Sequence, residues 1–181
     1  MTIERLWAAW RAAYVTGVGD VPNGEGSVFT RILASGMPDE QTHIVWRGTY
    51  CFAILNAFPY ASGHVLVMPY REVANLEDLT PAEHTELFAG IRDCVVALKS
   101  AYRPEGMNVG ANLGQAAGAG VPTHLHVHVL PRWLGDTNFM TSIAEMRVMP
   151  ESLADGAAKI RAHWPAPRLA GGAANAPQSQ S

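Results

Sequence analysis

His124, His126 and His128 occupy alternate positions of one short run, His124-Leu125-His126-Val127-His128-Val129-Leu130. Alternate side chains of a β-strand share a face at steps of about 6.6–7 Å. The spacing therefore predicts a row of imidazoles on one face of a strand His124 to Leu130, with Leu125, Val127 and Val129 turned to the other. Imidazole titrates near neutrality, so such a row offers a nucleophile or base beside groups able to donate to phosphate oxygens. Three of the seven histidines of the chain lie here, more than separate structural roles would explain. The rival chemistry is a metal centre, since His-x-His on a strand also presents first ligands to zinc. The third and fourth ligands would have to come from elsewhere, with His43, His64 and Glu or Asp residues as candidates. The chain has no Cys-x-x-Cys and no His-Glu-x-x-His, and Asp136 is the one acidic residue close after the triad.

The segment Asn112 to Thr123 leads into the histidines and carries Gly114, Gly118 and Gly120. Glycines allow successive backbone amides to turn toward one point, making an anion-binding concavity without lysine. The formal net charge of −3 and the lack of any Lys/Arg cluster exclude a general nucleic-acid binder, which needs many cationic contacts. A phosphate compound would thus be held locally by amides, histidines and a metal ion arriving with it. Asn56 and Asn112 are candidates to bond ribose or phosphate, although asparagine at a strand end also serves as a turn residue.

The elements around these residues are readable from pattern. Leu6, Trp7, Trp10 and Tyr14 recur at helical spacing in an N-terminal arm, residues 1–26. Apolar runs follow at Ser27 to Ala34, His43 to Arg47 and Thr49 to Asn56. The last is joined through Pro59 and Gly63 to His64 to Pro69, which predicts an antiparallel hairpin. Thr80-Pro81-Ala82-Glu83 opens a helix with a cap, a proline at its first position and a capping box. Leu87, Phe88, Ile91, Val95 and Leu98 are expected on its covering face as far as Tyr102. A strand Met107 to Asn112 precedes the glycine loop, and a helix at 150–164 falls in the C-terminal segment 146–165, with a polar tail at 166–181. Strands gathered before and after one long helix predict an α+β domain with an antiparallel sheet, centred on 27–145.

The chain's 181 residues, 48% apolar and 16% charged, suit one soluble domain. Glu4, Arg5 and Arg11 interrupt the first segment as no secretory signal would, and no run approaches the roughly 20 apolar residues that span a bilayer. A cytoplasmic protein with no membrane partner is expected. Cys51 and Cys94 lie in apolar runs, as buried reduced thiols do.

The histidine run resembles the signature of the histidine-triad (HIT) family, His-apolar-His-apolar-His-apolar-apolar, at every position. Gly63-His64-Val65-Leu66-Val67, with Asn56 eight residues before His64, is similar to the fragile-histidine-triad branch. Leu6 to Arg11 and Arg132 to Met140 are similar to bacterial members related to diadenosine tetraphosphate phosphorylases. The resemblance implies a HIT-like sheet, a homodimer or tetramer, and cleavage of dinucleoside polyphosphates through a covalent nucleotidyl-histidine, with phosphorolysis favoured over hydrolysis. A nucleoside phosphoramidate hydrolase and a non-catalytic nucleotide-binding regulator are the alternatives. It further implies His126 as nucleophile, His128 as donor to phosphate or leaving group, and His124 and His64 as orienting groups. Asn56 would hold ribose, Ile54 and Leu66 would line the base pocket, and Asn112 with Gly118, Ala119 and Gly120 would face the phosphates. Where many bacterial members carry a zinc-binding Cys-x-x-Cys, Ser27-Val28-Phe29-Thr30 stands here. No metal ligand set is therefore expected, and no permanent cofactor beyond Mg2+ accompanying the substrate.

Overall fold

A computed structural model describes residues 25–136 and 150–166. The expected N-terminal helix, the end of the Arg132 to Met140 segment and the tail beyond 166 lie outside the described residues. Helices α1 (Val28–Ala34) and α2 (Asp39–Thr42) lead into strands β1 (Ile44–Arg47), β2 (Cys51–Leu55) and β3 (Val65–Pro69). Helix α3 (Pro81–Tyr102), strands β4 (Gly106–Gly110) and β5 (Val127–Arg132), and helix α4 (Leu153–His163) follow. The strands form one five-stranded sheet in the order β1-β2-β3-β5-β4, and every neighbouring pair is antiparallel. This is the expected α+β class, with one long covering helix and a C-terminal helix.

Both faces of β2 and β3 are covered, so these strands read as continuous apolar runs. Cys51, Ala53, Leu55, Val65 and Val67 meet Leu87, Cys94 and Leu98 of α3 and Ile160 of α4 in one core. The alternate residues Phe52, Ile54, Leu66 and Met68 pack with Phe29 and Ile32 of α1 in a second core on the other face. The run from Ser27 is thus a helix, and its buried residues, three apart, are at helical spacing. Ser27 caps it by accepting from the Thr30 amide.

Helix α3 begins as its sequence requires. The Thr80 side chain accepts from the Glu83 amide, and the Glu83 carboxylate accepts from the Thr80 amide. Arg103 closes the helix in the left-handed conformation at φ 48°. Leu87, Ile91, Cys94 and Leu98 form its buried stripe, whereas Phe88 is 56% exposed, because one residue past Leu87 is a turn of about 100° around the axis. Helix α4 is attached to β1 by a stack of Trp164 on Trp46, centroids 5.6 Å apart, and by Arg161 donating to the Ile44 carbonyl, while a second Arg161 bond reaches the Asp39 carbonyl of α2.

Two strand boundaries differ from expectation. β5 begins at Val127, three residues after His124, and continues through Pro131 to Arg132. Past Val129 it has a neighbour on one side only, which is where a strand tolerates proline. β4 spans Gly106–Gly110 and stops short of Asn112. No helix among the described residues is long and apolar enough to cross a membrane.

Candidate active site

His124 and His126 occupy the irregular approach to β5, where backbone atoms serve the side chains directly. The His124 Nε2 lies 2.9 Å from the Pro69 carbonyl oxygen and its Nδ1 lies 2.7 Å from Ser27 Oγ. A carbonyl only accepts, so Nε2 carries the proton and Nδ1 accepts from the serine hydroxyl. The Nδ1 of His126 lies 2.8 Å from the His124 carbonyl oxygen. By the same logic His126 is protonated at Nδ1 and keeps the lone pair of Nε2 for chemistry. The peptide carrying that carbonyl is held at its other end by the Leu125 amide, which donates to Val73 O at 2.6 Å.

His64 and His128 form the second pair. The Tyr60 amide donates to His64 Nδ1 at 3.1 Å, leaving the proton of a neutral ring on His64 Nε2. That nitrogen faces His128 Nδ1 at 2.9 Å, so His128 accepts there and carries its own proton on Nε2. The His126 and His128 rings are 5.1 Å apart between centroids, and the Tyr60 ring stacks on His128 at 5.9 Å. One imidazole with a lone pair therefore stands beside one with an N–H, the requirement for attack on phosphorus with a donor to the departing oxygen. Burial holds the pKa values of His124 and His128 below the ordinary histidine range, and the neighbouring His126 pushes both the same way. For His124 the Pro69 carbonyl and the Glu72 carboxylate oppose that shift.

The four histidines assigned to catalysis are thus brought together. Asn56 adjoins them, with Nδ2 3.4 Å from His64 Nδ1 and Oδ1 accepting from the Phe58 amide. Sheet register aligns Ile54 with Leu66 and Leu66 with His128, yet Ile54 is 1% and Leu66 4% exposed. They floor the site beneath α1 and offer a base little open wall.

The glycine loop departs from its expected form. The Ala117 and Ala119 amides donate to Gly114 O, and the Gly118 amide donates to Gln115 O. Gly118 and Ala119 thus spend their amides inside a tight turn, with Gly114 and Gly118 at φ 78° and 90°, so they form no converging cradle. A five-residue step closed on itself satisfies its own donors first. Asn112 Nδ2 donates to Gly118 O at 3.5 Å, which joins these two predicted residues, while Gly120 is exposed at the end of the loop.

Sequence reasoning missed Tyr60, Phe29 and Glu72. The Phe29 ring meets His124 edge-on at 5.4 Å and His126 at 5.6 Å. Glu72 accepts from the Ser27 amide at 2.7 Å, and bonds from Thr123, Ser27 and Thr30 help hold its carboxyl below the usual range. Nothing in local pattern marks these residues, because each reaches the site from a different element.

A HIT-domain family model matches residues 38–133. An AP-4-A phosphorylase of Mycobacterium tuberculosis is 42% identical over 167 residues, covering 90% of this chain and 85% of the relative. An asymmetrical bis(5'-nucleosyl)-tetraphosphatase of Schizosaccharomyces pombe is 38% identical over 95 residues, 52% of each protein. A zinc-bound histidine triad family protein from Mycobacterium smegmatis superposes with a TM-score of 0.62 at 26% identity, over 77% of this chain and 93% of that one. Zinc does not fit the donors here. Ser27 and Thr30 offer only hydroxyls, which are poor zinc ligands beside thiolate or imidazole, and Ser27 Oγ is already bonded to His124 Nδ1. Among the described residues no three His, Cys, Asp or Glu side chains gather as metal ligands.

Proposed function

This chain belongs to the HIT family, and on that basis we propose that it cleaves dinucleoside polyphosphates through a nucleotidyl-His126 intermediate, with inorganic phosphate as acceptor. The observation that carries the chemistry is the bond from His126 Nδ1 to the His124 carbonyl, which leaves Nε2 as the nucleophilic atom. With diadenosine tetraphosphate, Nε2 attacks the α-phosphorus. A P–N bond forms, the bridging P–O bond breaks and ATP departs, stabilised by the N–H of His128. An oxygen of phosphate then attacks the same phosphorus, the P–N bond breaks and ADP leaves. The choice of phosphate over water is supported by the M. tuberculosis relative named for that activity, which matches over nearly the whole chain.

Asn56 is assigned to the ribose and Asn112 to the phosphates, with Mg2+ arriving on the substrate and no resident metal. The working form is a cytoplasmic homodimer or tetramer. The oligomer is supported by β4, which among the described residues ends the sheet with Val109 half exposed and no strand paired to its outer edge. The test is incubation with diadenosine tetraphosphate with and without phosphate, resolving the products. ADP and ATP formed only with phosphate is the expected result. AMP and ATP without phosphate would make the protein a hydrolase, and no product in either case would overturn this substrate class in favour of a nucleoside phosphoramidate or a nucleotide-binding role.

A further inference from the structure

Ser27 lies in a different element from the histidines, yet every polar atom it has is engaged. Its amide donates to Glu72 Oε2 at 2.7 Å. Its carbonyl accepts from Thr30 Oγ1 at 2.8 Å and from the Arg31 amide at 3.1 Å. Its hydroxyl oxygen accepts from the Thr30 amide at 3.2 Å while its proton goes to His124 Nδ1 at 2.7 Å. A residue only 5% exposed with all its groups committed has one available geometry.

We propose that Ser27 is a positioning residue for His126. It pins the His124 ring, and through the His124 carbonyl it sets the tautomer and aim of the His126 imidazole. His124 is fully buried and gripped at both nitrogens, by Ser27 on one side and Pro69 on the other. Removing the serine hydroxyl leaves Nδ1 as a buried acceptor without a donor, which favours ring rotation or exchange of the proton between the nitrogens. Either change releases the backbone at His124, whose carbonyl is the partner of His126 Nδ1. Phe29 follows two residues after Ser27 and packs on both rings, so the start of α1 holds His124 by hydrogen bond and by packing and touches His126 by packing. Small displacements of a reacting group cost up to about 100-fold in rate.

This rests on the nucleotidyl-transfer chemistry proposed above and deepens it. The experiment compares Ser27→Gly with Ser27→Thr in the full-length protein. Glycine is tolerated at a helix cap at a cost of a few tenths of a kcal/mol relative to serine, so the fold survives, and threonine restores a hydroxyl. Steady-state kinetics use diadenosine tetraphosphate and phosphate, and imidazole 15N spectra are read on histidine-labelled protein. In Ser27→Gly, kcat should fall about 10- to 100-fold with KM within about twofold, the His124 and His126 nitrogen signals should move, and Ser27→Thr should recover both. Wild-type kcat in Ser27→Gly, a loss with the nitrogen signals unmoved, or failure of threonine to restore either would overturn the assignment. Inactivity of the wild-type protein would instead strike the proposed function, and the spectra would still decide the role of Ser27.

Discussion

His64 Nε2 stands 2.9 Å from His128 Nδ1, and the bond has a direction: the Tyr60 amide occupies the far nitrogen of His64, so His64 donates and His128 accepts. His64 therefore acts through His128. Replacing His128 with alanine should lower kcat about 100-fold, as loss of a positioned proton donor does. His64→Ala should cost less, and adding it to His128→Ala should cost almost nothing more. Steady-state kinetics on the two single variants and the double variant check this, and additive losses would show an independent role for His64.

His126→Gly should lose about 1,000-fold or more of kcat, because it removes the imidazole whose free lone pair stands beside the His128 ring. Far-ultraviolet circular dichroism should stay that of the wild type. Retention of a tenth of the activity would assign the nucleophile elsewhere.

Stability should fall on mild acidification. His43, His124 and His128 are all held below the ordinary histidine value, first by burial. As pH drops below about 6.5 the unfolded chain takes up protons that the folded one refuses, so the unfolded state gains. The stabilisation is complete above that pH and is lost as pH falls toward the folded-state values. Thermal melts at about pH 7.5, 6.5 and 5.5 should give a steadily declining Tm, and a flat profile contradicts this.

Gly63→Ala should destabilise the protein by about 1–3 kcal/mol. Gly63 sits at φ 75°, and a Cβ there would come within 2.9 Å of the Tyr102 ring. Because His64 follows directly, turnover should fall with stability. Urea unfolding with parallel kinetics measures both, and unchanged values would mean that the turn adapts freely.

Neither cysteine should react with a thiol reagent in the native state. Cys51 and Cys94 are both 0% exposed; burial pushes the Cys51 thiol up to about 12 and the Cys94 thiol higher still. Both should titrate after unfolding in denaturant. Rapid native labelling would reveal an opening that the packed core does not suggest.

Local chemistry was legible wherever one segment holds it complete. The capping box at Thr80 and Glu83, the hairpin return through Gly63 and the alternation of His124, His126 and His128 with core residues could be read in order along the chain. The class of sheet followed from those elements. The run at Ser27 to Ala34 is ambiguous, since an eight-residue, largely apolar stretch suits a buried strand or a helix face, and tertiary packing over Ile54 and Leu66 decides it. The glycine loop misled because composition permits a cradle without requiring one. The amides of Gly118 and Ala119 found partners within their own turn. Tyr60 and Glu72 carry no local mark, and Ser27 marks only a missing Cys-x-x-Cys, because their roles exist only after distant segments meet.

The bond between Ser27 and His124 spans 97 residues of chain. Such a closure is costly in loop entropy and cannot form early in synthesis, when chains grow at roughly 5–20 residues per second and the histidines are still inside the ribosome. Arrival of His124 completes the contact, and only then does the nucleophile acquire its geometry. Catalytic competence thus becomes a reporter of finished folding: on refolding from denaturant, turnover should return with or after the slowest recovery of tertiary structure.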